Sequence, residues 1–198
     1  ESLKDFLKIF IAADGPLNEG DAHANALGNH LGLWEFFYEK KLQSNTIKIY
    51  HQHLFEDTSG LRFHNRYDGL WGLIIDSKNN TFLLEYLETT NQNIDPPYVD
   101  EAYYNHWIYD YGWSHQGFAI GNPHISPFEV IPFNMVHFGS NLNFNNKSLI
   151  LRLSKKTNIN SQINGIVTFK YGKKNMLSLS LYNDENKFGF SFGYEMIL

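Results

Sequence analysis

Four acidic residues lie close together in one part of the chain: Glu56, Asp57, Asp68 and Glu85. A pair of carboxylates roughly 5–9 Å apart is the minimal equipment of a glycosidase, and neighbouring strands could bring Asp68 and Glu85 to that spacing. However, Arg62 and Arg66 share the alternation of Asp68 in GLRFHNRYDGLWG. Guanidinium groups keep a carboxylate ionised, which suits internal ion pairing and makes a poor general acid. Arg62, Arg66, Asp68 and Glu85 are therefore expected to form a structural polar network, with no catalytic residue among them. His51 and His53 form an H-x-H pair, a possible start of a metal site. No third ligand follows at a sensible spacing, and Ile47, Ile49 and Phe55 occupy the same strand face. The expectation is no metal, with both histidines near an outer rim. The glycines of GLWG and FGFSFG follow strand periodicity and precede no helix, so they make no phosphate cradle, and no cofactor is implied.

The stretch Asn91–Glu129 has a different composition. It carries Pro96, Pro97, Tyr98, Tyr103, Tyr104, Trp107, Tyr109, Tyr111 and Trp113 among Asp95, Asp100, Asn105, His106 and Asp110. Loops longer than about 15 residues are functional or disordered. Disordered segments are poor in aromatics, so this loop is expected to be folded.

The elements that must hold these residues read as strands. Ten are expected: Leu3–Ile11, Leu27–Lys41, Thr46–Phe55, Leu61–Ile75, Phe82–Thr90, Val130–Asn143, Lys147–Ser154, Ile163–Tyr171, Asn175–Tyr182 and Lys187–Ile197. The start, ESLKDFLKIF, is the one place where a short helix competes. Tight polar turns at QSN after Leu42, Ser77–Asn80, Asn143–Lys147 and Gly172–Asn175 follow every second strand, and the intervening connections tend to be longer. Short turns on one side and long loops on the other are the pattern of an outer-membrane barrel. In the last strand Phe188, Phe190, Phe192, Tyr194 and Met196 occupy one face, and Lys187, Gly189, Ser191, Gly193 and Glu195 the other. On a barrel the aromatic face meets lipid and the glycine, serine and charged face lines a wet lumen. A soluble β-domain is the competing assignment.

Bulk properties narrow the classes further. The 198 residues carry a net charge of −5, which gives no electrostatic grip on nucleic acid. Mean hydropathy is −0.38 and aromatics make up 16%. No window approaches the roughly 20 apolar residues of a membrane-spanning helix, a test to which barrels are blind. The chain contains no cysteine.

Several blocks together resemble the capsule-assembly Wzi family, particularly its Bacteroidetes members. They are IKIYHQHLFEDTSGLRFHNRYDGLWGLII, LLEYLETTNQ at Leu83–Gln92 and YYNHWIYDYGWSHQGFAIGNPH at Tyr103–His124, with NMVHFGSNL and LYNDENKFGFSFGY nearer the end. The likeness runs from about Leu27 to Leu198. It implies an antiparallel transmembrane β-barrel of roughly 18 strands in the outer membrane, with a helical element near the periplasm. It also implies a lectin-like, non-enzymatic protein that anchors capsular polysaccharide at the cell surface. Ten strands cannot close such a barrel, so residues 1–198 are expected to be one β-barrel portion, the C-terminal part of a longer chain that also supplies N-terminal strands and helices. The expected partners are the polysaccharide, outer-membrane lipid and other outer-membrane proteins. Tyr104, His106, Trp107 and Trp113 are the expected sugar contacts, because sugar C–H faces stack on flat rings and hydroxyls bond to Asn, His and carboxylates. Arg62, Arg66, Asp68 and Glu85 become the lumen network beneath them. A transport or scaffold barrel within a larger complex is the alternative.

Overall fold

The computed structural model describes residues 2–11, 13, 15–16, 31–55, 58–61, 63, 65–91, 103–105, 111–172, 175–184 and 187–196. The first expected strand is a helix instead, α1 (Leu3–Phe10). Its start is locally encoded by a capping box. The Ser2 hydroxyl accepts from the Asp5 N–H at 3.2 Å, and the Asp5 carboxylate accepts from the Ser2 N–H at 2.9 Å. Leu3, Phe6, Leu7 and Phe10 then fall at helical spacing on one exposed face. Local capping outweighs the strand-like apolar run.

The strands are β1 (Gly32–Lys41), β2 (Asn45–Phe55), β3 (Gly69–Ser77), β4 (Asn80–Glu88), β5 (Ser114–His115), β6 (Phe118–Ala119), β7 (Asn134–Phe144), β8 (Lys147–Lys156), β9 (Asn164–Tyr171), β10 (Asn175–Asp184) and β11 (Lys187–Met196). Nine of them form one sheet in the order β1-β2-β3-β4-β7-β8-β9-β10-β11, and β5-β6 form a separate two-stranded sheet. From β4 onward every pairing in the large sheet is antiparallel. The chain is thus all-β, laid out as the wall of an up-and-down barrel, and the sheet is open among the described residues. No helix there is long and apolar enough to cross a membrane.

One expected strand is shortened. The alternation of residues 61–75 suggests a strand throughout, but β3 begins only at Gly69. Before it stand a four-residue helical turn, α2 (Thr58–Leu61), and tight turns closed by Phe63 N–H to Gly60 O (3.0 Å) and Asp68 N–H to Asn65 O (2.9 Å). Asn65 and Asp68 are each only 1% exposed. Their polar side chains need partners that a flat strand does not supply, and the turns deliver them.

The chain divides into two compact units. One comprises residues 1–35, 52–69 and 89–132; the other comprises 36–51, 70–88 and 133–198. In the second unit the strand register assigns the faces. Leu151, Val167, Leu181 and Phe190 stand in one cross-strand row, and Leu149, Phe169, Leu179 and Phe192 in the next. Most of these side chains are exposed, with Phe190 74% accessible. An apolar surface this continuous is rare on a protein bathed in water. The opposite face holds the rows Glu85, His137, Ser154, Asn164 and Thr81, Asn141, Ile150, Thr168, Ser180. The expected division into an aromatic-aliphatic face and a polar face thus matches the register.

Hairpins fall where the tight turns were expected. Lys78–Asn79 link β3 to β4, and Asn145–Asn146 link β7 to β8, with Asn145 at φ 53°. These turns gather at one end of the sheet. Asn143 donates its backbone and side-chain N–H to Asn79 O, and the Gly172 N–H donates to Asn146 O at 2.8 Å. Two glycines are needed for close approach. A Cβ at Gly189 would lie 2.2 Å from the Tyr182 ring, and one at Gly72 would lie 2.0 Å from the Tyr50 ring. In both places the missing side chain lets an aromatic ring lie flat on the sheet.

Candidate functional site

The first unit holds a buried polar node at the base of the long loop. Strand β2 brings in His53, the turn after α2 brings Asn65 and Asp68, and the loop returns Asn91 and Tyr103. Asp68 accepts from the Tyr103 hydroxyl and from the Asn91 backbone N–H, both at 2.9 Å. Asn65 Nδ2 donates to the Tyr103 oxygen. The His53 ring lies against two backbone carbonyls, Nδ1 at 3.2 Å from Asp68 O and Nε2 at 2.9 Å from Gly60 O. It stacks on Phe63 with 4.7 Å between ring centroids. His53 is completely buried, so it is no rim histidine. The turns place both carbonyls around the ring, and a buried imidazole needs such polar partners. His51 stacks on the Trp71 ring at 3.8 Å, so the H-x-H pair is divided between two different contacts. Among the described residues no group of three potential ligands gathers for a metal.

Three of the four residues of the expected lumen network are described, and each has its own surroundings. Arg66 is exposed and lies over the Tyr67 ring at 4.9 Å, with no ion pair among the described residues. Glu85 accepts from the Tyr50 hydroxyl. Asp68 is held as above, and Arg62 lies outside the described residues. Among the described residues, phenol and backbone amide donors reach these carboxylates.

The described part of the loop, residues 103–105 and 111–129, is folded, as its aromatic content implied. Tyr104 adopts φ 63°, and its carbonyl accepts from the Trp113 N–H at 2.9 Å. Gly112, at φ 46°, passes so close that a Cβ would sit 2.1 Å from that carbonyl. The Trp113 carbonyl accepts from Ile120 N–H at 2.9 Å and closes the β5-β6 hairpin. Gln116 and Gly117 both have positive φ, as a two-residue hairpin turn requires. Asn105 Nδ2 pins the loop by donating to Tyr103 O at 3.0 Å and Ser126 O at 2.8 Å.

This packing redistributes the expected sugar contacts. Tyr104 is 4% exposed and belongs to the loop's core, so the expectation of an exposed contact is corrected. Its carbonyl holds the start of the hairpin, and its side chain is turned inward. Trp113 is partly exposed, and its Nε1 is buried with no hydrogen-bond partner in the described residues. His106 and Trp107 lie outside those residues. The rings that do face outward are Tyr111, Phe118 and Phe128; Tyr111 is 72% exposed and meets Phe128 edge-on at 6.2 Å. Composition alone could not distinguish these from Tyr103 and Tyr104. The one local sign was Gln116-Gly117, a turn dipeptide that throws Phe118 to the far side of a hairpin.

The comparisons with known proteins bear on the whole chain. No curated protein and no solved structure matches it. The family described as capsule assembly protein Wzi matches residues 1–188, so the likeness begins well before Leu27 and takes in α1. The chain belongs to the capsule assembly protein Wzi family.

Proposed function

We propose that this chain forms part of an outer-membrane barrel wall that holds capsular polysaccharide at the cell surface, without catalysis. The observation that carries the reading is the folded loop hairpin, beside which Tyr111 stands exposed against Phe128 and leaves flat aromatic surface on an anchored scaffold. Rings of this kind offer large contact area to sugar C–H faces and lose little side-chain entropy. Membership in a capsule assembly family supports the choice of polymer. The exposed apolar face of β7–β11 supports lipid as its surroundings, since water would penalise it. Of the four acids that could suggest hydrolysis, Asp68 is engaged by Tyr103 and Asn91 and Glu85 by Tyr50, and Glu56 and Asp57 lie outside the described residues.

A second reading has its own observation. Ile120, Val130 and Ile131 are exposed near the aromatic rings in sequence, and aliphatic groups of this kind favour a protein surface over a sugar. The test is the double variant Trp113→Ala, Tyr111→Ala, with barrel abundance in the outer membrane compared against cell-attached polysaccharide. Normal abundance with reduced attachment supports capsule retention, since a weak single contact is multiplied along a repeating polymer. Normal attachment by a correctly inserted variant overturns it, and loss of a co-purifying protein points to the scaffold reading.

A further inference from the structure

We propose that the polar face of β4, β7 and β8 carries a subsite for an anionic sugar unit, centred on the Arg152 guanidinium. The proposal rests on the capsule-holding reading above and adds the chemical class of the sugar.

A cleft of about 210 Å³ opens on this face, lined by Thr81, Leu83, His137, Gly139, Asn141 and Arg152 among others. At roughly 30 Å³ per water it holds about seven waters, the scale of one sugar ring. Gly139 keeps it open. A Cβ there would touch Leu83 Cβ at 3.4 Å and approach His137 Nε2 at 3.9 Å.

Arg152 is exposed, and among the described residues it makes no side-chain hydrogen bond or ion pair. Register explains why. Its cross-strand partners are Gly139 on β7 and Ile166 on β9, neither of which offers a polar side chain. Its diagonal neighbours on the same face are His137, Asn141, Asn164 and Thr168, none of them acidic. The acid next along this face is Glu85 on β4, which accepts from the Tyr50 hydroxyl. A wall arginine that served only structure would be paired with a carboxylate. This one presents its donor fork to the cleft.

The groups around it suit a sugar better than a bare anion. His137 engages Ser154 Oγ through Nδ1 at 2.7 Å, which leaves Nε2 on the Gly139 side. Asn141 can both donate to and accept from hydroxyls. Leu83 supplies an apolar wall for a C–H face. A guanidinium fork pairs two-pronged with carboxylate or phosphate, so the matching ligand is a sugar ring bearing one of these groups.

The experiment uses the full protein in detergent and calorimetric titration with trigalacturonate, its carboxyl-reduced neutral analogue, glucose 1-phosphate and inorganic phosphate. Trigalacturonate should bind at least tenfold more tightly than the neutral trisaccharide. Arg152→Gln should lose that preference while its unfolding midpoint and its affinity for the neutral analogue are unchanged; Arg152→Lys should fall between. Competition by glucose 1-phosphate as strong as that by trigalacturonate would identify phosphate as an accepted charge within the same class. Equal binding of acidic and neutral sugars, an unaltered Arg152→Gln, or inorganic phosphate competing as well as the sugars would each overturn the subsite. Capsule retention that depends on Trp113 and Tyr111 while no acidic sugar binds sinks the subsite and leaves the capsule reading standing. Charge-dependent binding with retention indifferent to those rings does the reverse.

Discussion

Changing Tyr103 to Phe removes one oxygen and leaves the ring, so it introduces no large cavity. That oxygen serves two partners, donating to Asp68 at 2.9 Å and accepting from Asn65 Nδ2. Both partner residues are 1% exposed, so water cannot replace it without opening the node. A stranded buried amide N–H costs about 1–3 kcal/mol, and a hydrogen bond to a charged group contributes about 1.5–3 kcal/mol. One atom underlies both effects and they do not add fully, so the expected loss is about 2–5 kcal/mol. Asp68 keeps the Asn91 N–H, which holds the figure below that of removing the carboxylate's partners altogether. The assay is denaturant unfolding of the protein refolded in detergent, followed by tryptophan fluorescence. Tyr111→Phe serves as the surface control and should change stability by no more than about 0.5 kcal/mol. In the double variant Asn65→Ala, Tyr103→Phe the stranded N–H is gone, so the losses should sum to less than the two single values by about 1 kcal/mol or more. A loss below about 1 kcal/mol for Tyr103→Phe, or strict additivity in the double variant, would refute the buried node.

Phe190→Arg should block membrane assembly, because an arginine on the lipid face near the midplane costs about 2–4 kcal/mol, whereas Ser191→Thr on the polar face should assemble normally; equal yields of both in the membrane fraction would reverse the faces. The Asp5 carboxyl is held below its ordinary value of 3.8 by the Ser2 backbone N–H, then by the Ser2 hydroxyl. A depressed folded value means that the capping box contributes stability above pH 3.8 and loses it as pH falls through the lower folded value. The Ser2 amide resonance should therefore titrate with a midpoint below 3.8, and Asp5→Asn should abolish that titration; an identical curve in the variant would dismiss the cap.

Much of the fold was legible because β-periodicity and turn chemistry are local. A period of two places Phe188, Phe190 and Phe192 on one face whatever the strand pairs with, and Lys78–Asn79 or Asn145–Asn146 turns a chain by its own backbone preference. The capping box of Ser2 and Asp5 is equally local, and it decided α1 against an apolar run that reads as a strand. The burial of particular polar groups was not legible. Residues 61–68 alternate like a strand, yet Asn65 and Asp68 take hydrogen bonds with Tyr103 and Asn91, which the loop returns from more than 20 positions away. The same long-range closure turned Tyr104 inward and left Tyr111 outside, although both are tyrosines in one polar-aromatic stretch. Arg152 reads as an ordinary polar-face residue in the sequence. Only register, by placing Gly139 and Ile166 on either side of it, decided that its charge would meet no carboxylate on a neighbouring strand.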